Sequence, residues 1–243
     1  MPLVRIVGPG RAGRSLALAL AAAGWPAPEL VERAEVNPLV AHGADFLVLA
    51  TPDAALADVA AAIEPDPATV VVHLAGCHGL DVLEPHPRRA AVHPLVALPD
   101  PGLGAARLRG AWFAVSAGGD AVALAIPAAL GGRVLTLPED AIARARYHAA
   151  ACIASNHLVA LLGQVERVAA LAGVPLDAYL DLVRASVDNV ARLGPAAALT
   201  GPAARGDDAT IARHLAVLPD DERAAYVALR GEARKLCKVP VCN

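Results

Sequence analysis

The chain has 243 residues, which is enough for one large domain or two smaller domains with separate cores. Hydrophobic residues make up 56% and charged residues 19%, a composition that is typical of globular proteins and excludes a disordered chain. The net charge of −3, without a stripe of basic residues, argues against nucleic-acid binding. No apolar run is as long as a membrane span, which needs about 20 residues.

The first half of the chain alternates predicted strands with predicted helices. Strands are expected at 3–8, 29–33, 45–53, 69–76, 90–98, 110–118 and 133–140, and helices at 11–24, 55–65 and 120–132. Near-continuous apolar strands that alternate with helices are typical of a parallel sheet covered on both faces. We therefore predict an α/β, doubly wound domain over residues 1–140.

From residue 141 onward the pattern is helical. Residues 141–173 show about thirty residues of helical periodicity without proline, ended by Gly173, and further helices are predicted at 176–192, 207–217 and 220–237. We predict an all-α domain over residues 141–243 that binds substrate. Because so long an apolar helix needs more cover than about a hundred residues provide, we also expect a homodimer.

The segment GPGRAG at residues 8–13 places Gly8, Gly10 and Gly13 at the spacing G-x-G-x-x-G. An apolar strand precedes it and an alanine-rich helix follows, which is the context of a dinucleotide-binding turn. The phosphates would lie at the helix N-terminus, beside Arg11 and Ala12. The motif therefore predicts a Rossmann-type domain, with a purely structural turn as the alternative.

The ends of the next two strands predict how the cofactor is held. The third strand ends in Thr51, Pro52 and Asp53, which are expected to line the cofactor, although Asp53 would equally suit a helix N-cap. The second strand is followed by Glu32, which suits a ribose hydroxyl, and Arg33, which suits a 2′-phosphate. Because Arg11 and Arg14 add positive charge at the helix start, we favour NADP(H) over NAD(H).

The long helix of the second half presents a candidate catalytic face. His148, Cys152 and Asn156 follow one another at i, i+4 and i+8 and would share one side of an α-helix. Hydride delivery to a carbonyl requires a proton donor or a charge stabiliser at the developing alkoxide. His148 suits the donor and Asn156 would hold the substrate or the nicotinamide amide. The alternative is that both are polar residues satisfied inside a helical bundle.

Four further residues are candidate substrate contacts. His93 follows the fifth strand, in the region that would face the cofactor, while Asn189, Thr200 and Arg205 are polar residues in an apolar domain. An arginine in a cleft suits a bidentate contact with a carboxylate, although Arg205 would also serve as a solvated charge at a helix entry.

The four cysteines include no C-x-x-C pair and no paired zinc-ligand spacing, so we predict no metal site. Reduced thiols and the lack of a signal-peptide pattern lead us to expect a cytoplasmic protein.

Several motifs together resemble one bacterial family. They are GPGRAG, LATPD, VHLAGCHGLDVL, HPL, YHAAACIASNHLVAL, DNVARLGPAAALTGPAARGD and IARHLAVL, and they run from residue 8 to about residue 218. The family pairs a Rossmann-like domain with a C-terminal domain of unknown function, lies in the 6-phosphogluconate-dehydrogenase-like set and is similar to ketopantoate reductases. The chain departs from this resemblance in three places. The family's HTSG is HLAG at 73–76, with Leu74 and Ala75 in place of the two hydroxyl residues. The HP loop continues as LVALPDPG where the family often has an aromatic residue, and Cys152 stands where the wider set has a catalytic lysine.

The resemblance implies an NAD(P)-dependent oxidoreductase or a non-catalytic relative. We expect reduction of a small 2-oxo acid, most concretely 2-dehydropantoate. His148 would be the acid, Asn156 would position the substrate, and Arg205 or His93 would contact its carboxylate. The alternative is an NADP-binding sensor or regulatory module without turnover.

Overall fold

The structure is a computed structural model that describes residues 1–237, so Cys242, the last of the four cysteines in the sequence, lies outside the described part. The chain divides into two compact units, the first Met1–Ser155 and the second beginning at Asn156. The first unit includes the helix after Asp140, which the sequence predicts to open the second domain. This helix is bonded to the sheet domain through Arg144, as described below.

The first unit is built on a seven-stranded sheet, and residues 1–237 form no other sheet. Its strands are β1 (Val4–Val7), β2 (Glu29–Val31), β3 (Phe46–Leu49), β4 (Val70–His73), β5 (Arg89–Pro94), β6 (Trp112–Ser116) and β7 (Arg133–Leu137). They lie in the order β2-β1-β3-β4-β5-β6-β7. All neighbouring pairs are parallel except β5 and β6, which are antiparallel. The predicted α/β class is therefore confirmed.

The reversal of β6 departs from the fully parallel sheet that the sequence predicts. The chain leaves β5 at Pro94 instead of continuing to residue 98, because Val96 N–H turns back to the Pro94 carbonyl at 2.9 Å. Leu95 N–H then donates to the carbonyl of Trp112 at 2.8 Å. Strand β6 consequently begins beside the end of β5 and runs back along it.

Five helices belong to the first unit as described: α1 (Arg11–Ala22), α2 (Leu56–Ala61), α3 (Pro101–Leu108), α4 (Ala125–Ala129) and α5 (Ala141–Cys152). Helix α3 is absent from the sequence prediction because its proline and glycines resemble a loop. Asp100 nevertheless caps it by accepting from the N–H groups of Gly102 and Leu103. Gly104 has no side chain because a Cβ there would overlap the Ser15 hydroxyl of α1.

Alternate residues of one strand enter cores on opposite faces of the sheet. Ile6 and Val48 pack with the helix α1 residue Leu16, whereas Val7 and Leu47 pack on the other side with α2. This alternation follows from the period of two along a strand. The sheet is thus covered on both faces, as predicted.

The long helical segment after residue 140 is interrupted. Helix α5 ends at Cys152, and a π-helical turn at Ile153–His157 precedes the next helix. The second unit contains α6 (Leu158–Leu171), α7 (Asp177–Leu193), α8 (Pro195–Ala198), α9 (Pro202–Arg205), α10 (Asp208–Val217) and α11 (Asp220–Leu236). The predicted all-α second half is confirmed in its described residues. None of the helices in residues 1–237 is long and apolar enough to span a membrane.

Candidate functional site

The glycine turn between β1 and α1 has three glycines with different surroundings. Gly8 has φ +94°, and a Cβ there would lie 2.9 Å from the Ala50 carbonyl carbon and oxygen. A Cβ on Gly13 would overlap the carbonyl oxygen of Gly8. At Gly10, by contrast, no described atom lies within 4 Å of the position of a Cβ. Gly8 and Gly13 are therefore required for packing, whereas Gly10 borders open space.

The N-terminus of α1 is suited to an anion. Gly10 is its N-cap residue, and among the described residues no side chain caps the helix. The first-turn N–H groups are consequently available to a ligand. Beside this turn, the Thr51 hydroxyl at the end of β3 is buried and has no hydrogen-bond partner in residues 1–237. The N–H groups at the start of α1 and the buried hydroxyl of Thr51 fit a polar ligand that binds at this turn.

The two residues that would select the cofactor have different environments. Glu32 forms a capping box with Glu35 at the start of the 3₁₀ helix Arg33–Glu35, and it lies 4.0 Å from Arg14. The Arg33 side chain is exposed and makes no hydrogen bond or ion pair with any described residue. Of the two, Arg33 is thus the residue whose charge is open to a ligand.

Three aromatic side chains meet at the carboxyl end of β5. His93 Nδ1 lies 2.7 Å from the hydroxyl of Tyr147 on α5. The rings of His93 and His148 are perpendicular, with centroids 6.2 Å apart. A Cβ on Gly76 would lie 2.8 Å from His148 Cδ2 and 3.0 Å from His93 Nε2, so the absence of a side chain at Gly76 makes room for both rings. The predicted residues His93 and His148 are therefore neighbours.

Burial sets the ionisation of the His93–Tyr147 pair. Burial, with a smaller contribution from the nearby His148, lowers the pKa of His93 to about 4. Burial also raises the pKa of Tyr147 to about 12. At neutral pH the pair is therefore an uncharged imidazole hydrogen-bonded to an uncharged phenol.

A third histidine, His73, is the last residue of β4, and its ring is hydrogen-bonded to the loop that follows this strand. Its Nε2 lies 3.0 Å from the Gly79 carbonyl, and its Nδ1 accepts from Ala75 N–H at 3.2 Å. The bond to the amide fixes the tautomer with the proton on Nε2. Burial lowers the pKa of His73 to about 4, so the ring is neutral. Neither His73 nor Tyr147 is predicted from the sequence to have a role. The signal that could have found His73 is a polar residue at the end of an apolar strand. For Tyr147 it is a polar residue next to His148.

Arg144 fastens α5 to the sheet domain. Its buried guanidinium donates to Glu139 Oε1 at 2.7 Å, to the Ser116 hydroxyl and to the His78 carbonyl at 2.9 Å. These bonds fix both the start of α5 and the loop that follows β4.

Asp53 is the first residue of a 3₁₀ helix, Asp53–Ala55, and its carboxylate faces the loop after β4 instead of capping the helix. The Cys77 thiol donates to Asp53 Oδ2 at 3.2 Å, and His78 Nε2 lies 4.0 Å from the same oxygen. Burial and the neighbouring Asp53 raise the pKa of the Cys77 thiol.

The remaining predicted residues lie in the second unit. Asn156 falls in the π-helical turn, where the i, i+4, i+8 rule of a continuous α-helix no longer applies. The face that it was predicted to share with His148 therefore does not follow from spacing. Asn189 is exposed in the middle of α7, and Arg205 is the exposed last residue of α9. After Arg205, Asp207 caps α10 by accepting from Thr210 N–H at 3.0 Å.

Thr200 lines a cavity of about 740 Å³ inside the second unit. Its walls are mainly apolar side chains of α6, α10 and α11. The polar groups at the wall include His214, whose Nδ1 lies 2.7 Å from the Tyr226 hydroxyl, and Arg230, which is paired with Asp208 at 2.6 Å. Thr200 is thus the predicted substrate contact that borders a cavity.

Solved structures from other organisms share this fold. A candidate NADP oxidoreductase from Bacteroides fragilis is 23% identical, with 96% of this chain and 98% of that chain covered and a TM-score of 0.82. Pyrroline carboxylate reductase from Plasmodium falciparum is 13% identical, with 98% of each chain covered and a TM-score of 0.62. A reductive aminase from Aspergillus terreus is 16% identical, with 99% and 89% covered and a TM-score of 0.60. These likenesses establish the fold.

Two family models match the sequence, while no curated protein does. The model of a Rossmann-like domain matches residues 27–99, and the domain of unknown function DUF2520 matches residues 112–232. The chain therefore belongs to the proteins in which a Rossmann-like domain is followed by DUF2520.

Proposed function

We propose that the chain binds NADP(H) at the glycine turn and acts as an NADP-dependent reductase. Three observations support this cofactor: the open space beside Gly10 at an uncapped helix start, the unpaired buried hydroxyl of Thr51, and the open charge of Arg33. The similar Plasmodium falciparum structure has NADP bound and the Aspergillus terreus structure has NADPH bound, which supports the same choice.

Each cofactor-binding residue has a role in this proposal. The amides of Arg11, Ala12 and Gly13 bind the pyrophosphate, Gly10 leaves it room, and Gly8 allows the tight turn. Arg33 binds the 2′-phosphate through a charge-assisted hydrogen bond. The loop after β3 lines the cofactor with Thr51, Pro52 and Asp53.

The observation that carries the reductase proposal is the meeting of His93, Tyr147 and His148 at a strand end. NADPH, when bound, supplies a hydride for a polarised carbonyl. His148 donates the proton that the carbonyl oxygen takes up as it becomes an alcohol. We assign Tyr147 as the donor in its 2.7 Å contact with His93 Nδ1, so that the neutral His93 ring has its proton on Nε2 and donates a hydrogen bond from it to the substrate oxygen.

The substrate in this proposal is a small 2-oxo acid, most concretely 2-dehydropantoate. Because His93 is neutral, it offers the substrate a hydrogen bond but no charge, and Arg205 is the residue that binds the carboxylate. Asn156, Asn189 and Thr200 complete the polar contacts in the second unit. This assignment makes the protein ketopantoate-reductase-like within the 6-phosphogluconate-dehydrogenase-like set.

The test measures cofactor binding and turnover separately. NADPH binding is followed by quenching of protein fluorescence, and turnover by loss of nicotinamide absorbance with 2-dehydropantoate, other 2-oxo acids and a pyrroline carboxylate. We expect NADPH to bind more tightly than NADH and to be oxidised with a 2-oxo acid. Failure to bind either nucleotide would overturn the whole proposal.

A non-catalytic NADP-binding module is the second candidate function. It is favoured by Cys152, which stands where the 6-phosphogluconate-dehydrogenase-like set has its lysine. Tight binding of NADPH without oxidation by any compound of the panel would support this candidate and exclude the reductase.

We also propose that the chain forms a homodimer through its helical part. None of the residues of α7 is buried, and its side chains Leu182, Val187, Val190 and Leu193 are exposed. At 3.6 residues per turn these four positions span an arc of about 140°, the width of a face that packs against a neighbour. Light scattering on the eluting protein is expected to give twice the chain mass, and the mass of a single chain would contradict the proposal.

A further inference from the structure

Side chains of three types that bind transition metals converge at the ends of β3 and β4. Asp53 Oδ2 lies 3.2 Å from Cys77 Sγ and 4.0 Å from His78 Nε2, and the three ligand atoms all lie within 4.8 Å of one another. We propose that Asp53, Cys77 and His78 form a binding site for one divalent transition-metal ion, such as Zn²⁺. The site shares Asp53 with the loop that lines the cofactor in the proposed function, and its other two ligands, Cys77 and His78, have no part in that proposal.

The separations fit tetrahedral coordination. Zinc binds sulfur, nitrogen and oxygen at about 2.0–2.3 Å, so two ligand atoms on a tetrahedron lie about 3.5 Å apart. The separations of Asp53 Oδ2 from Cys77 Sγ and from His78 Nε2, 3.2 and 4.0 Å, lie on either side of this value. Small rotations of the side chains are therefore sufficient to bring the three atoms onto one ion.

The backbone that carries the ligands is held in place. The His78 carbonyl accepts from Arg144 at 2.9 Å, and the next carbonyl, that of Gly79, lies 3.0 Å from His73 Nε2. Both anchoring side chains are buried. Anchors of this kind lower the entropy that the loop loses when an ion binds, and outer residues commonly orient metal ligands in this way.

The ligand types determine which ions fit. One thiolate, one carboxylate and one neutral imidazole balance the charge of a divalent cation. Thiolate and imidazole favour Zn²⁺ or Co²⁺ over Mg²⁺ and Ca²⁺, which prefer oxygen ligands. With three protein ligands and partial exposure of Asp53 and His78, a fourth position is left for water or a small molecule. The sequence gives no sign of this site because Asp53 is far in sequence from the Cys77–His78 pair.

Cobalt serves as a spectroscopic probe of the site. The full chain is treated with a chelator, dialysed and titrated with Co²⁺. We expect a thiolate-to-cobalt charge-transfer band in the near ultraviolet, visible bands of a tetrahedral site, and loss of both when Zn²⁺ is added. Absence of the charge-transfer band in the wild-type protein overturns the proposal.

Two variants and a matched control assign the ligands. Cys77→Ser should abolish the charge-transfer band, and His78→Gln should weaken Zn²⁺ binding by about ten-fold or more. Cys152→Ser is the control, since it removes another thiol of the same unit, and the band should persist. Loss of the band in Cys152→Ser with its retention in Cys77→Ser contradicts the assignment. Circular dichroism verifies that each variant is folded.

X-ray absorption at the zinc edge of the wild-type protein gives a measurement that needs no variant. We expect one sulfur neighbour, with nitrogen and oxygen for the rest; a shell without sulfur overturns the proposal. NADPH binding is measured in parallel on metal-free protein. Failure of the metal site and failure of the cofactor proposal therefore give different results.

Discussion

The glycines of the turn between β1 and α1 differ in what a side chain at each position would meet. Gly10 is bordered by open space, whereas Gly8 and Gly13 would each place a Cβ against backbone atoms. Gly10→Ala is therefore expected to fold normally and to bind NADPH at least about ten-fold more weakly, because a methyl group would occupy the position of a phosphate. Fluorescence titration with NADPH measures the change.

Gly8→Ala is the companion variant. Its positive φ and the contact with the Ala50 carbonyl predict a lower melting temperature, whereas Gly10→Ala should melt as the wild type does. Unchanged NADPH affinity in a folded Gly10→Ala protein would show that the phosphates do not lie at this turn.

In the proposed function, His148 is the proton donor of the chemical step. His148→Gln keeps a polar side chain but removes the proton donor, so kcat should fall by about 10²–10⁴ while NADPH affinity stays within two-fold or so. His157→Gln is the matched control, because His157 is an exposed histidine of the π-helical turn with no role in the proposal. Equal kcat values for both variants would remove His148 from the mechanism.

Among the elements, α6 and α11 are tied by one ion pair. Arg167 donates to both carboxylate oxygens of Glu222, at 2.5 and 3.2 Å, and the Glu222 side chain is 9% exposed. Arg167→Met should lower the melting temperature by several degrees because it leaves a mostly buried carboxylate unpaired.

Arg184→Met provides the comparison for this pair. Arg184 is paired with Asp181 on the exposed surface of α7, where an ion pair contributes little. Thermal unfolding followed by circular dichroism should show almost no change for Arg184→Met. Equal losses in the two variants would mean that the burial of Glu222 does not matter.

Hydrophobic periodicity and the positions of glycine and proline predict most of the strands and helices but not all of their details. Strand β3 and helix α1 are predicted because apolar runs and a glycine turn are local signals. Helix α3 is missed since its N-cap and its contact with Ser15 outweigh the poor helix propensity of its glycines. The π-helical turn and the direction of β6 depend on tertiary packing, which periodicity does not report.

For the whole molecule, buried neutral histidines make stability depend on pH. The pKa values of His73 and His93 are lowered to about 4 by burial, while an unfolded chain has a histidine pKa of about 6.5. Between these two pKa values the unfolded state binds more protons than the folded state does. The contribution of the two histidines to the free energy of unfolding therefore has its full value above pH 6.5 and decreases as the pH falls toward 4. The loss should be about 2–3 kcal/mol for each histidine.

Urea unfolding at pH 7 and pH 4.5 tests this dependence. His73→Gln should reduce the difference in unfolding free energy between the two pH values, whereas His42→Gln, which changes an exposed histidine, should leave it as it is. A His73→Gln protein with the wild-type difference would show that His73 is not the group that takes up the proton.

The order of predictability follows the distance over which residues interact. The α/β class, the helical second half and the glycine turn could be predicted because each depends on a pattern of residues that are close in sequence. The proximity of His93 to His148 could be seen only in the fold, since His93 lies near the end of β5 and His148 lies on α5. Tyr147, His73 and the Asp53–Cys77–His78 cluster acquire their roles from neighbours that are distant in sequence.

The direction of β6 decides where α5 points. Since β7 is parallel to β6, it ends at the amino ends of β1 to β5, and α5 starts from there, with Arg144 bonded to Ser116 at the end of β6. At about 1.5 Å per residue, α5 rises by about 10 Å from Ala141 to His148, which carries Tyr147 and His148 up to the carboxyl end of β5. Had β6 continued the direction of β5, the same helix would start level with His93 and lead away from it. Because one strand is inverted, α5 runs toward the carboxyl ends of β1 to β5 instead of away from them.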